Sequence, residues 1–268
     1  MSQLNIMNTQ EQNWINLFGN HSLEDIAWYG TWTKYAPNKK VISSFQGVRK
    51  FRTNKDKTLI DHTNTYTYAD GSTEEKNWQL EKQTCNQSDG VIHVAVPSMR
   101  SLSFGQGASA WFSQTWEMGK MFGAELFFQH ENWRTSVSTI YGENGDLERI
   151  THIREHLGSF PIESPGLEIE AIDGKWTGEK KYMTPDLIIS DTELIAELIL
   201  VPIKGINKTI FLPDGVVVNA PKKLENNQEF QMTTGKFVSP EIFKRFTVKY
   251  NQLGNFQQLI SETFHRQV

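Results

Sequence analysis

The chain has 268 residues, a formal net charge of −4 and 38% hydrophobic side chains. Both halves are slightly acidic, so nothing provides the basic stripe that nucleic-acid binding needs to neutralise phosphates. The longest apolar run, at 194–203, is interrupted by Glu197 and is too short to span a bilayer as a helix.

Cys85 is the single cysteine. A disulfide framework is therefore impossible and a cytoplasmic setting is expected. The turn-like residues around Cys85 read as an incidental loop thiol. The first residues have no basic region leading into an apolar core, so no signal peptide is expected.

The first predicted element is a helix. Thr9-Gln-Glu-Gln12 fits a capping box, Trp14, Leu17 and Phe18 share a face, and Gly19 can end it. Period-2 segments follow at 28–35, 42–52, 58–68, 75–81, 91–96, 110–116, 121–129, 133–141 and 147–155. Asp70-Gly71, Asp89-Gly90, Gly105-Gln-Gly107 and Asn144-Gly145 lie between them as turns, because glycine takes positive φ without a Cβ clash. Two prolines and two glycines in 156–166 mark a boundary. The predicted organisation is an N-terminal domain over 1–156, a linker over 157–167 and a C-terminal domain over 168–268. Strands are expected in the latter at 174–182, 194–203, 209–212, 216–219, 229–236, 243–250 and 255–263.

Landmarks recur in order across the two halves. Gly30-Thr-Trp32 leads to Tyr35 and Pro37, as Gly174-Lys-Trp176 leads to Tyr182 and Pro185. Asp89-Gly90 followed by Pro97 pairs with Asp214-Gly215 followed by Pro221, and Tyr141 through Gly145 with Tyr250 through Gly254. The period is too long for a solenoid and reads as two tandem copies of one domain. Many short hairpin-linked strands per copy leave a sandwich or a closed up-and-down barrel.

Gly-x-Trp on an opening strand resembles the signature of the calycins, the lipocalins and their relatives. That resemblance implies an all-β fold of two tandem calycin/lipocalin-like antiparallel up-and-down β-barrels with a short N-terminal helix. The Trp would pack across the closed end of each barrel, and Arg134 or Arg154 could stack on Trp32. The whole chain is similar to an uncharacterised cyanobacterial and plastid family of tandem calycin-like proteins. The stretch Trp133-Arg-Thr-Ser-Val-Ser-Thr-Ile-Tyr-Gly-Glu-Asn-Gly-Asp-Leu-Glu-Arg-Ile-Thr-His-Ile-Arg-Glu155 carries that likeness. A looser resemblance is to calycin-fold bilin lyases, although no lyase-specific site can be matched.

His152-Ile-Arg-Glu155-His156 fits an inverted zinc-peptidase pattern. On a strand its histidines would stand roughly 13 Å apart, too far to share a metal, so no metal site or cofactor is expected. Continuous alternation puts Phe128, His130, Asn132, Arg134 and Ser136 on one face. That face is either a polar anchor inside the barrel, with Arg134 gripping a ligand, or a solvent face. The stretch containing Trp111, Phe112, Trp116, Met118, Met121, Phe122, Phe127 and Phe128 either fills the first barrel's core or lines a cavity for a planar or extended ligand. Candidate binding residues are Trp111, Trp116, Phe128, His130 and Arg134.

The expected function is binding of a small hydrophobic or amphipathic ligand, such as a lipid, pigment or isoprenoid, by the N-terminal barrel. A cavity enzyme such as a chromophore lyase or cyclase is the first rival. An interaction module with filled barrels is the second. Catalytic residues are not assigned.

Overall fold

The computed structural model describes residues 8–21, 26–162 and 174–267. Helix α1 (Thr9–Phe18) is capped one residue earlier than expected. Asn8 keeps an extended backbone and its side chain accepts from Gln10 N, whereas Thr9 is already helical. Asn13, buried, spans the next strand edge by donating to Ser101 O at 3.1 Å and accepting from Ser103 N at 2.9 Å. Asn16 donates to Ser103 O, and Trp14 Nε1 donates to Lys57 O. The helix is thereby fastened across one end of the N-terminal sheet.

That sheet holds β1 (Ile26–Tyr35), β2 (Val41–Thr53), β3 (Leu59–Thr67), β4 (Thr73–Glu81), β5 (Asn86–Gln87) and β6 (Gly90–His93). It continues with β7 (Val96–Gly105), β8 (Ala108–Ser113), β9 (Phe122–His130), β10 (Trp133–Tyr141) and β11 (Leu147–Leu157). Its order, β4-β3-β2-β1-β11-β10-β9-β8-β7-β6-β5, is an antiparallel meander whose first and last long strands pair. The result is a nearly closed barrel. Helix α2 (Lys82–Cys85) links the two outermost strands. Cys85 is not a loop thiol: it is buried with Trp14, Phe18, Ile60, Leu80 and Val91 beneath α1. The expected strand at 91–96 splits between β6 and β7, and most of β7 was not anticipated.

The second sheet contains β12 (Trp176–Met183), β13 (Glu193–Ile195), β14 (Asn207–Leu212), β15 (Val216–Pro221), β16 (Phe230–Ser239), β17 (Ile242–Tyr250) and β18 (Phe256–Arg266). Its order, β13-β12-β18-β17-β16-β15-β14, again pairs first with last long strand. Of the apolar run at 194–203, only Leu194 and Ile195 are in a strand, at the end of the three-residue β13. Residues 163–167 of the expected linker lie outside the described residues.

Strand registers correct two of the sequence landmarks. Gly30 faces Glu155 across β1 and β11, and Gly178 faces Phe264 across β12 and β18. The equivalent motifs are therefore Trp28-Tyr-Gly30 and Trp176-Thr-Gly178, not the Gly-x-Trp pair. A Cβ on Gly30 would stand 2.2 Å from Arg154 O, and one on Gly178 would stand 2.5 Å from Thr263 O. Likewise Asp214-Gly215 corresponds to Gln106-Gly107, since both join neighbouring strands with positive φ at both turn residues. Asp89-Gly90 joins β5 to β6, which have no partner strands in the second sheet.

The largest core lies between the sheets rather than inside either one. Phe112, Trp116, Phe122, Phe128, Val137 and Tyr141 from the first meet Ile210, Val218, Phe230, Phe246 and Tyr250 from the second. The Tyr-to-Gly landmarks clasp reciprocally across this core. Tyr141 OH donates to Pro221 O at 2.9 Å, and Tyr250 OH donates to Ser113 O at 2.7 Å. Leu224 N donates to Gly145 O, and Trp116 N donates to Gly254 O.

Gly145 and Gly254 both take positive φ, and a Cβ on either would lie 2.5 Å from a carbonyl oxygen of the opposite half. Gly71 has similar φ but open space around it. Gly71→Ala is expected to cost about 1 kcal/mol from backbone strain alone. Gly145→Ala and Gly254→Ala are expected to cost about 2 kcal/mol more from overpacking the clasp. Urea unfolding of the three variants measures the difference.

Candidate functional site

Alternation along each strand of the N-terminal sheet sends one set of side chains inward. Trp28 on β1, Phe51 on β2, His62 on β3, Trp78 on β4, His93 on β6, Trp111 on β8 and Phe127 on β9 surround a chamber of about 640 Å³. Most form a belt of touching rings. Phe51 stacks on His62 at 4.3 Å, His62 meets Trp78 at 5.0 Å, Trp78 meets His93 at 6.3 Å, and His93 meets Trp111 at 4.8 Å. Phe18 and His21 extend the belt from the end of α1.

Two arginines and two carboxylates cross the barrel at this level. Arg134 Nε donates to Glu155 Oε2 at 2.8 Å, and Arg49 Nε lies 3.4 Å from Glu155 Oε1. Arg49 also approaches Glu125 at 3.5 Å, while Ser136 Oγ donates to Glu125 at 2.7 Å. Glu155 is fully buried, with Arg49 6% and Arg134 9% exposed. Burial pulls the Arg49 guanidinium down, but Glu155 and Glu125 outweigh it and raise its pKa. Arg134 is lowered by burial, with Glu155 opposing and neighbouring Arg49 adding to the shift. Such a network costs desolvation and stays favourable only while each partner remains.

His21, His62 and His93 contribute no charge at neutral pH. Burial lowers His21 to about 4, with Arg134 adding to the shift, and pushes His62 well below its ordinary value. His93 is also lowered by burial. Its Nδ1 accepts from Ala95 N and Val96 N, so the neutral ring carries its proton on Nε2. Beyond the arginine layer lies a second space of about 310 Å³ bounded by Trp32, Phe45, Tyr66, Tyr68, Lys34, Lys76 and Arg149.

At the registers of this polar layer the second sheet is apolar, and its own buried pair, Arg245 donating to Glu262, lies two residues along the same strands. Arg134 and Glu155 face each other across β10 and β11, and the equivalent positions across β17 and β18 are Phe243 and Phe264. Both phenylalanines are fully buried with Trp176, Val217 and Leu198. The second interior is packed at the level where the first is hollow.

The family model for the N-terminal part of a domain of unknown function, DUF3598, matches residues 10–160. The chain belongs to the DUF3598 family. A second model, described as the C-terminal domain of biogenesis factor required for ATP synthase 1, matches residues 195–266. Among solved structures, the chain is similar to a DUF3598 protein of unknown function from Nostoc punctiforme. Identity is 19%, the TM-score is 0.72, and the match covers 95% of this chain and 99% of that one. This likeness shows the fold alone. Porin variants from Rh. blastica align over 90% of this chain and 99% of theirs at 9% identity, with a TM-score of 0.20, too low to indicate kinship. No curated protein matches.

In this DUF3598 protein the five predicted binding residues divide. Trp111, His130 and Arg134 line the chamber. Trp116 and Phe128 instead lie in the core between the sheets. The place of Phe128 follows from the hairpin at Glu131-Asn132. Its two-residue turn sets Gln129 opposite Arg134, Phe127 opposite Ser136 and Phe128 opposite Thr135. Even-numbered positions face inward on β10 while odd-numbered ones face inward on β9, so counting straight through the turn reversed Phe128. The proposed stacking on Trp32 also changes hands. Arg49 lies over Trp32 at 5.5 Å, Arg134 over Trp28 at 4.4 Å, and Arg154 over Trp133 at 4.1 Å.

The zinc-like pattern lies on β11 and its members diverge. Glu155 faces the barrel interior, while His152 is near Lys236 and Asp214 of the other half and Arg154 of its own strand. Among the described residues no group of three metal-ligating side chains occurs. Sequence reasoning missed Arg49, Phe51, His62, Trp78, His93 and Glu155 as a group. Their signal was an aromatic, His or charged residue at an inward position on successive strands, legible only once hairpin registers are known.

Burial lowers His152 to about 4, with Lys236 and Arg154 also disfavouring its protonated form and Asp214 opposing. Its folded pKa is below the unfolded value, so its contribution is complete above pH 6.5. It is lost as pH falls toward 4, because the unfolded chain takes up the proton first. His152→Gln is expected to reduce the pH dependence of unfolding free energy over that window by up to about 1.4 kcal/mol per pH unit. Urea denaturation of both proteins at several pH values measures this difference.

Proposed function

We propose that the N-terminal barrel binds a small hydrophobic or amphipathic ligand of lipid, pigment or isoprenoid type in the ring-lined chamber. The observation carrying this reading is that a space of about 640 Å³ is kept open by aromatic side chains while the corresponding level of the second sheet is packed. A volume of this size suits a small-molecule site. A flat ligand burying about 300 Å² of apolar area would gain roughly 7 kcal/mol before association costs. The same reading treats the two sheets as tandem copies of one calycin-like barrel, over 1–156 and 168–268, with the second supporting the first. Their matching registers and reciprocal clasp support it.

Native mass spectrometry of protein isolated from its own host tests for a retained small molecule. Tryptophan quenching with a panel of lipids, pigments and isoprenoids tests rebinding. Trp111→Leu is expected to weaken binding about tenfold by removing a ring from the belt. Trp116→Phe is expected to leave affinity unchanged, since that ring lies between the sheets. Absence of both a retained molecule and saturable quenching would remove this reading.

A second reading rests on a different observation. The match of residues 195–266 to the C-terminal domain of biogenesis factor required for ATP synthase 1 supports a role in assembling that enzyme through the second sheet. Leu194, Ile199 and Ile206 supply exposed apolar contacts there. Normal amounts of assembled ATP synthase in host cells lacking this protein, measured on native gels, would count against assembly work.

A further inference from the structure

We infer that the ligand presents a neutral hydrogen-bond acceptor, a ketone-, aldehyde- or amide-type carbonyl on a flat conjugated skeleton, to Nη2 of Arg134. The inference rests on the chamber being a ligand site and specifies the chemistry of its deep end. Arg134 lines the chamber and is nine-tenths buried, yet its Nη2 has no hydrogen-bond partner, whereas Arg49 Nε and Glu155 Oε1, which also make none, face each other as an ion pair at 3.4 Å. The rest of the guanidinium is held in place. Nε is engaged by Glu155, and the group lies 4.4 Å above Trp28 and 5.7 Å from Phe51. A fixed, buried donor without an acceptor costs free energy that a bound oxygen recovers.

Charge selects which oxygen. The interior layer contains Arg49 and Arg134 against Glu125 and Glu155, a balanced set. Lys244, reaching from the second sheet to Gln129 O, and exposed Glu131 also balance at the mouth. A carboxylate placed beside Arg134 would therefore leave one buried negative charge uncompensated. A carbonyl satisfies the donor and leaves the balance intact. The contacts among Phe51, His62, Trp78, His93 and Trp111 present ring faces and edges, which favour a flat skeleton.

Three probes with one skeleton isolate these points: 1-acetylpyrene, its alkene isostere 1-isopropenylpyrene, and 1-pyrenecarboxylate. Titrations follow quenching of the chamber tryptophans in the full chain. The ketone is expected to bind at least tenfold more tightly than either other probe. Arg134→Lys, which keeps the charge but loses the forked donor, is expected to bring ketone and alkene within about threefold of each other. The double variant Arg134→Phe/Glu155→Phe, which copies the second sheet's pair, is expected to do the same without stranding a buried charge. Equal binding of ketone and alkene by the unmodified protein would overturn the inference and keep the chamber as a site. Tightest binding of the carboxylate would overturn the charge argument. Binding of none of the three, together with no quenching by the wider panel, would remove both the site and this inference.

Discussion

The reciprocal clasp between the sheets is the constraint on which the rest depends. Each half offers a tyrosine hydroxyl and a glycine carbonyl to the other, at Tyr141 and Gly145 and at Tyr250 and Gly254. The rings of Phe122, Phe230 and Tyr250 fill the space between, with Phe230 stacked on Tyr250 at 4.7 Å. Equivalent groups meeting about an approximate two-fold relation give complementary contacts on both sides, as in a symmetric dimer. Because the outer faces of β8 to β10 are buried in this way, the N-terminal sheet has an apolar core outside its barrel. Its inner face is consequently less dependent on solid packing and can line a chamber.

The contrast between the two interiors is a contrast between two ways of filling equivalent positions. Phe243 and Phe264 gain burial and dispersion without leaving a polar group to satisfy. Arg134 and Glu155 demand a partner for every donor and acceptor, and Arg134 Nη2 and Glu155 Oε1 are left without a hydrogen bond. Replacing buried ion pairs by apolar side chains is often neutral or stabilising, so stability alone does not explain the polar layer. On the proposed ligand-binding reading, the layer serves the chamber whose wall it forms.

Much of the architecture was legible because its signals are local. Positive-φ glycines, alternation and the amphipathic helix identify turns, strands and α1 from a few residues each. Landmarks recurring in both halves were legible too, although the registers match Trp28-Tyr-Gly30 with Trp176-Thr-Gly178 rather than Gly30-Thr-Trp32 with Gly174-Lys-Trp176. A tripeptide match tolerates a two-residue slip, whereas the close approach of the Arg154 and Thr263 carbonyls does not. The site was legible only in part. Trp111, His130 and Arg134 lie at the chamber wall, whereas one two-residue turn places Phe128 on the opposite face.

By itself the sequence determined an all-β chain with an N-terminal helix, hairpin-linked strands and a concentration of aromatic residues near 111–133. Those properties follow from backbone preference and side-chain period, which act over neighbouring residues. Only the tertiary structure decided that Trp116 and Phe128 belong between the sheets, that Arg49 rather than Arg134 lies over Trp32, and that Glu155 joins two arginines. Such contacts depend on registers accumulated through successive hairpins. In a meander, one residue of shift at any turn exchanges the inside for the outside of the following strand.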